Sequence, residues 1–129
     1  MPIVRIEDAA ARSPATRQAI IECVFDGLKQ VFGVSDEELQ ARYQSFDPAC
    51  FVPPGGLSDY LHVRITVFAG RKPETKKKLY AVLVQGLSAL LGMAPASIVI
   101  LLDEHPGENW GMRGGRMASE IDFGYEIGV

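Results

Sequence analysis

Two stretches of the chain place apolar residues at helical spacing, and short alternating runs flank each of them. In the first stretch the apolar positions are Ile20, Ile21, Val24, Phe25, Leu28, Val31 and Phe32. Recurrence at three and four residues predicts an amphipathic helix over about 14–32. Ser13 suits its N-cap, Pro14 its first turn and Gly33 its C-terminal stop. In the second stretch Leu79, Tyr80, Leu83, Val84, Leu87, Leu90 and Leu91 predict a helix over about 73–91, opened by Pro73. Strands are expected at about 2–7, 42–46, 60–68 and 97–103. In the third, Leu61, Val63, Ile65 and Val67 share one face and His62, Arg64 and Thr66 the other. The segment 47–58 holds Pro48, Pro53, Pro54, Gly55 and Gly56 and reads as a loop that cannot be a helix.

The two halves repeat. Arg12-Ser13-Pro14-Ala15-Thr16 recurs as Arg71-Lys72-Pro73-Glu74-Thr75, an offset of 59. At the same offset Gly27 and Gly33 meet Gly86 and Gly92, and Val4-Arg5-Ile6 meets Val63-Arg64-Ile65. Two amphipathic helices share a period by construction, but matched glycines and an Arg-x-Pro-x-Thr motif do not follow from period alone. The expected fold is α/β (α+β): one domain over 1–129, with pseudo-repeat halves of about 1–47 and 59–105. Each half is a β-α-β unit. Short connections imply parallel pairs and a four-stranded, mainly parallel sheet with both helices on one face. The fourth strand is apolar on both sides, with Ile98, Ile100 and Leu102 on one and Val99 and Leu101 on the other. Such a strand wants cover on both faces, which so short a chain obtains most simply from another copy, so a homo-oligomer is expected. The C-terminal region 106–129 reads as a loop and then a strand, because Ile121, Phe123, Tyr125 and Ile127 alternate with polar or small residues. That strand pairs either with its own sheet or with a neighbouring edge.

Composition narrows the classes. At 129 residues and 47% hydrophobic, the chain can bury one ordinary core. A net charge of -3 carries no basic footprint for nucleic acid. No apolar run is long enough to span a membrane, and the first residues hold no signal-peptide core. Cys23 and Cys50 are too few for a disulfide framework, and a cytoplasmic setting is expected. His62 and His105 lack metal-ligand spacing, so no metal is expected.

Three stretches carry candidate chemistry. Pro2 precedes the first strand, and removal of Met1 would leave it a free secondary amine. The same dipeptide is also an ordinary tolerated start. Arg71 and Lys72 stand between the third strand and the second helix, where helix N–H groups favour anions. Two cations at the positive end of a helix oppose its dipole, which a bound anion would relieve; a solvated basic turn continued by Lys76, Lys77 and Lys78 is the other reading. The segment from His105 to Arg116 holds Asn109, Trp110 and Arg113 among glycines. It lacks the Walker lysine and the dinucleotide glycine pattern, and offers either an aromatic and cationic loop or a tryptophan packed into an interface. Asp36, Glu37 and Glu38 read as a solvated acidic turn. No Gly-x-Ser-x-Gly nucleophile motif occurs.

Together, Pro2 opening a strand, the doubled unit and Gly70-Arg71 before the second helix resemble the tautomerase superfamily. The resemblance spans nearly the whole chain. It is nearest to the branch of malonate semialdehyde decarboxylase and its uncharacterised relatives, through Phe68-Ala69-Gly70-Arg71, Thr75-Lys76-Lys77 and Asn109-Trp110-Gly111-Met112-Arg113-Gly114. It implies a homotrimer with the amino-terminal proline as the catalytic group. Two positions depart from the decarboxylase pattern. Ala41 stands where an acidic residue precedes Arg42-Tyr43-Gln44, and Pro73 stands at the second arginine, with Lys72 the nearest spare cation.

The expected activity is cofactor-independent keto–enol tautomerisation of a small 2-keto acid or enol carboxylate, with no cofactor or metal. Pro2 would be the general base and Arg71 the carboxylate anchor. Asn109 or Arg113 would stabilise the enolate, Trp110 would wall the site, and Lys72 would assist binding. Decarboxylation or hydration of a 3-oxo acid such as malonate semialdehyde is the alternative, and a catalytically silent trimeric binding protein is a second.

Overall fold

The computed structural model describes residues 1–129. Its main elements are β1 (Ile3–Asp8), α1 (Pro14–Phe32), β2 (Gln40–Ser45), β3 (Leu61–Phe68), α2 (Pro73–Leu91) and β4 (Ile98–His105). A small hairpin of β5 (Gly111–Met112) and β6 (Arg116–Met117) follows. The helix boundaries coincide with those expected, because proline and glycine fix them. Ser13 accepts a hydrogen bond from the Thr16 N–H at 3.1 Å, and Gly33 closes α1 at φ 70 with its N–H on the Lys29 carbonyl. Gly92 closes α2 in the same way. Strand ends differ from expectation by one or two residues, where no such punctuation exists. The loop 47–58 contains only single 3₁₀ turns at Pro48–Cys50 and Pro54–Gly56.

The sheet runs β2-β1-β3-β4. The outer pairs β1–β2 and β3–β4 are parallel, and the central pair β1–β3 is antiparallel. In that central pair Ile3 faces Thr66, Arg5 faces Arg64 and Glu7 faces His62. Arg5 and Arg64 are also repeat equivalents, so the pair lies on the pseudo-twofold axis relating the halves. Both helices cover one face. Val4, Ile6, Leu61, Val63 and Ile65 are fully buried beneath Ile20, Val24, Leu28, Leu79, Leu83 and Leu87. The opposite face stays uncovered within the protomer: Leu101 in β4 is 44% exposed, while its neighbours Ile100 and Leu102 pack against the core. No helix is long and apolar enough to cross a membrane.

The strand expected near the C-terminus is not formed. Beyond a 3₁₀ turn at Ala118–Glu120 the chain has no regular structure to Val129, and both sheet edges stay free. Gly124 at φ 78, with its N–H bonded to the Asp122 carboxylate at 2.9 Å, turns the tail away from strand geometry. The tail ends instead at the start of α2, where the Val129 carbonyl accepts from the Lys72 N–H at 3.4 Å and from the Thr75 hydroxyl. Those bonds tie the C-terminus to the backbone N–H of the N-cap residue and to a hydroxyl in the first turn of α2. The alternation itself survives: Ile121, Phe123, Tyr125 and Ile127 are half-buried between exposed neighbours.

The helices cross at the repeated glycines. A Cβ on Gly27 would stand 2.5 Å from Leu83 Cδ2, and one on Gly86 would stand 2.9 Å from Cys23 Sγ. Each glycine therefore lets the other helix approach. Gly27→Val should cost about 1–3 kcal/mol of stability by overpacking this crossing, read as a lowered Tm. An unchanged Tm would show that the crossing can relax.

Candidate active site

The antiparallel central pair brings the start of β1 beside the end of β3. The Met1–Pro2 end therefore meets the Phe68–Arg71 turn. Pro2 is buried and Met1 half-buried. The Met1 amine donates to the Tyr125 hydroxyl at 3.2 Å. Burial lowers this amine from 8.0 to about 5; Glu38 opposes the shift and Arg71 adds to it. The group occupying the position is the methionine amine, one residue ahead of the nitrogen that removal of Met1 would free.

Arg71 is 5% exposed. It follows Gly70, whose φ of 127 excludes most side chains. Its guanidinium lies 3.9 Å from the centroid of the Phe32 ring, and Nη1 donates to the Phe68 carbonyl at 3.3 Å. Its Nε–H has no partner. Burial lowers its pKa, against Tyr125 and Glu104, but a guanidinium so shifted stays charged. The group is a positioned cation with a spare buried donor.

Glu38 completes the cluster. Asp36 and Glu37 are exposed, as a solvated turn requires, but Glu38 is 5% exposed. Its Oε1 accepts from Arg113 Nη2 at 3.0 Å, and its buried Oε2 has no partner. Arg113 projects from the hairpin turn with φ 51, and its guanidinium lies 4.9 Å from the Phe123 centroid. Tyr125 has its phenol pKa raised, first by burial and then by Glu38, with Arg71 and Arg113 opposing.

The structure thus gathers the Met1–Pro2 end, Arg71 and Arg113. It does not gather Lys72 or Asn109, which are exposed, and no side-chain bond ties either to the cluster. Trp110 stands one layer away. Its ring packs edge-on to Phe68 at 5.0 Å, and its Nε1–H reaches the His105 carbonyl at 3.3 Å. No group of His, Cys, Asp and Glu is arranged to hold a metal.

Sequence reasoning missed Glu38, Tyr125 and Phe32 as parts of this cluster. No sequence signal marks the first, which only the tertiary fold buries. The tail alternation marks Tyr125 as inward-facing, though as part of a strand. Phe32 reads from sequence only as core.

The repeat places a counterpart at the opposite pole. Arg12, the equivalent of Arg71, binds the fully buried Asp8 at 2.8 Å and Asp59 at 3.0 Å. Tyr43 also donates to Asp8. There the guanidinium is neutralised and the chain runs on without an amine.

The family described as tautomerase enzyme matches residues 41–113, more than half of the chain. The chain belongs to that family. The matched span includes Arg71 and Arg113 and leaves out Pro2. Among solved structures, a malonate semialdehyde decarboxylase, FG41, inhibited by 3-bromopropiolate is 27% identical with a TM-score of 0.73, covering 89% of this chain and 92% of that one. A fused 4-OT described as a symmetric trimer is 24% identical at a TM-score of 0.82, covering 91% and 96%. Pt0534 inactivated by 2-oxo-3-pentynoate is 20% identical at 0.85, covering 93% and 99%. The last two likenesses bear on the fold alone.

Glu38 favours the ammonium form of the nearby amine. Glu38→Gln should therefore lower the amine pKa further, measured as the pH dependence of amino-terminal acylation on the chain that keeps Met1. An unchanged pKa would show that the carboxylate is not coupled to it.

Proposed function

We propose that this chain is a cofactor-independent keto–enol tautomerase acting on a small 2-keto acid or enol carboxylate. Pro2 is its general base once Met1 is removed. The observation that carries the reading is Arg71: a buried guanidinium with an unpartnered Nε–H, close enough to the terminal amine to lower its pKa. Arg71 would take the substrate carboxylate, since a guanidinium fork suits that group. A desolvated amine beside a cation is neutral near pH 7 and competent as a base. Pro2 would remove the enol hydroxyl proton, or the proton on the carbon beside the carbonyl, and return it to the other position. Arg113 and the Tyr125 hydroxyl would stabilise charge developing on the substrate oxygen. Trp110 would shape the wall through Phe68, and Lys72 and Asn109 would serve as outer binding groups.

Glu38 favours a second reading, decarboxylation or hydration of a 3-oxo acid such as malonate semialdehyde. Its unpartnered buried oxygen could hold a water or keep the Pro2 amine protonated, so that the amine acts as an acid. The acidic group that Ala41 lacks would then be supplied by Glu38. The two readings predict opposite pH limbs. A neutral base gains activity as pH rises through the amine pKa; a protonated acid loses it.

A homotrimer is part of the same proposal. The uncovered sheet face, the free edges of β2 and β4 and the symmetric trimer of the fused 4-OT support it. Sedimentation equilibrium should give three chains per particle.

The direct test is an ultraviolet assay of enol-to-ketone conversion on phenylpyruvate-type substrates, with amino-terminal mass spectrometry to establish that Met1 is absent. Pro2→Ala should lower kcat/KM by about 10²-fold or more. Arg71→Ala should act largely through KM. Activity left intact by Pro2→Ala in the processed protein would reject the base. No turnover of any keto–enol substrate, together with carbon dioxide release from a 3-oxo acid, would favour the second reading; turnover of neither would favour a silent binding protein.

A further inference from the structure

Arg12 and Arg71 are repeat equivalents, and both guanidinium groups are largely taken out of water. A buried cation needs a compensating group. The two poles supply it by different means. At the far pole Asp8 accepts from Arg12 Nε and Asp59 from Nη2, and Tyr43 donates to Asp8. At the near pole the equivalents of Asp8 and Tyr43 are Val67 and Leu102, both apolar and packed in or against the core. The exchange is matched at a third position, where Leu91 of the far pole answers to Phe32 of the near one.

Phe32 is the last residue of α1 and 2% exposed, and Gly33 ends the helix directly after it. Its ring is therefore held by the helix end and the core together. The Arg71 guanidinium carbon lies 3.9 Å from the ring centroid. The arginines that lie over rings are Arg17, Arg71 and Arg113, and Arg12 is not among them. A carboxylate compensates a guanidinium by accepting its N–H groups, which are then spent. An aromatic face compensates it through the ring quadrupole and accepts none of them. In Arg71, Nη1 donates to the Phe68 carbonyl at 3.3 Å, and the buried Nε–H is still unspent.

We propose that Phe32 is a positioning residue for Arg71. Its ring holds the guanidinium plane in a fixed orientation and leaves the N–H edge to the substrate carboxylate. The inference rests on the reading of Arg71 as the carboxylate anchor. Phe32 itself touches neither the substrate nor the reacting atoms. Without the ring, the guanidinium has to be ordered at the moment of binding, which weakens affinity and leaves the proton transfer by Pro2 as it was.

The test measures enol-to-ketone kinetics on the processed chain carrying Phe32→Leu, which installs the residue found at the far pole. Phe32→Met is measured beside it, since its longer, adaptable side chain fills the ring's place without a ring. KM should rise by about tenfold in both, with kcat nearly unchanged. A second readout needs no turnover. Arg71 lowers the pKa of the terminal amine. In the chain that keeps Met1, Phe32→Leu should therefore raise that pKa, followed by the pH dependence of amino-terminal acylation. In an Arg71→Ala background the same change should add nothing further. Unchanged KM in both Phe32 variants would overturn the proposal, as would a fall in kcat with KM unaltered. So would a pKa shift of equal size with and without Arg71. If Arg71→Ala itself leaves KM unchanged, the anchor reading fails, and the pKa comparison still decides whether Phe32 holds Arg71.

Discussion

The antiparallel pairing of β1 with β3 is the constraint on which the other features depend. Parallel pairing alone would have put both strand starts at one end of the sheet and both strand-to-helix turns at the other. Antiparallel pairing at the centre puts the start of each half beside the turn that ends the first strand of its neighbour. Ile3 faces Thr66, so the terminal amine and Arg71 meet although some seventy positions separate them in sequence. The same register holds the repeated glycines at the helix crossing. Those glycines set how closely α1 and α2 lie on the sheet, and with that the depth at which Phe32 sits beneath Arg71.

A duplicated fold with a twofold axis should possess two equivalent sites, and only one pole is equipped. At the far pole Arg12 occupies the place of Arg71, but Asp8 and Asp59 hold its guanidinium. An arginine so engaged has little left to offer an incoming carboxylate. Asp8 is fully buried, and its charge would be costly there without Arg12 and Tyr43. The motif retained at both poles has thus been turned to structural use at one. At the other pole the guanidinium lies against a phenylalanine face and a carbonyl, with no carboxylate bonded to it.

How much of this can be read from the chain depends on the kind of signal. Both helices are legible to the residue, because serine, proline and glycine mark their ends through backbone geometry. The doubled unit is legible because glycines and an Arg-x-Pro-x-Thr motif recur at one offset. Arg71 is legible because cations at a helix start oppose its dipole. Glu38 is not, because the chain around it reads as an acidic turn and only the tertiary fold buries the last of the three carboxylates. Tyr125 is half legible: alternation gives the inward side of the tail, but not the bend at Gly124 that carries the tail across the strand ends. The Lys72 side chain is exposed, and its backbone N–H already meets the Val129 carbonyl.

The cluster balances two opposed influences on one nitrogen. Burial and Arg71 disfavour the cationic amine, and Glu38 favours it, with burial the largest. Of the two charges Glu38 acts on the amine more strongly than Arg71, although Arg113 already bonds its Oε1. Arg113 comes from a hairpin turn flanked by Gly114 and Gly115, both at positive φ, and its own side chain is 48% exposed. Its grip on Glu38 is therefore softer than that of Phe32 and Phe68 on Arg71. Were Arg113 withdrawn, Glu38 would keep its full charge for the amine and the protonated form would gain. A base and an acid would then differ by the placement of one arginine on a hairpin turn rather than by any change in the nitrogen.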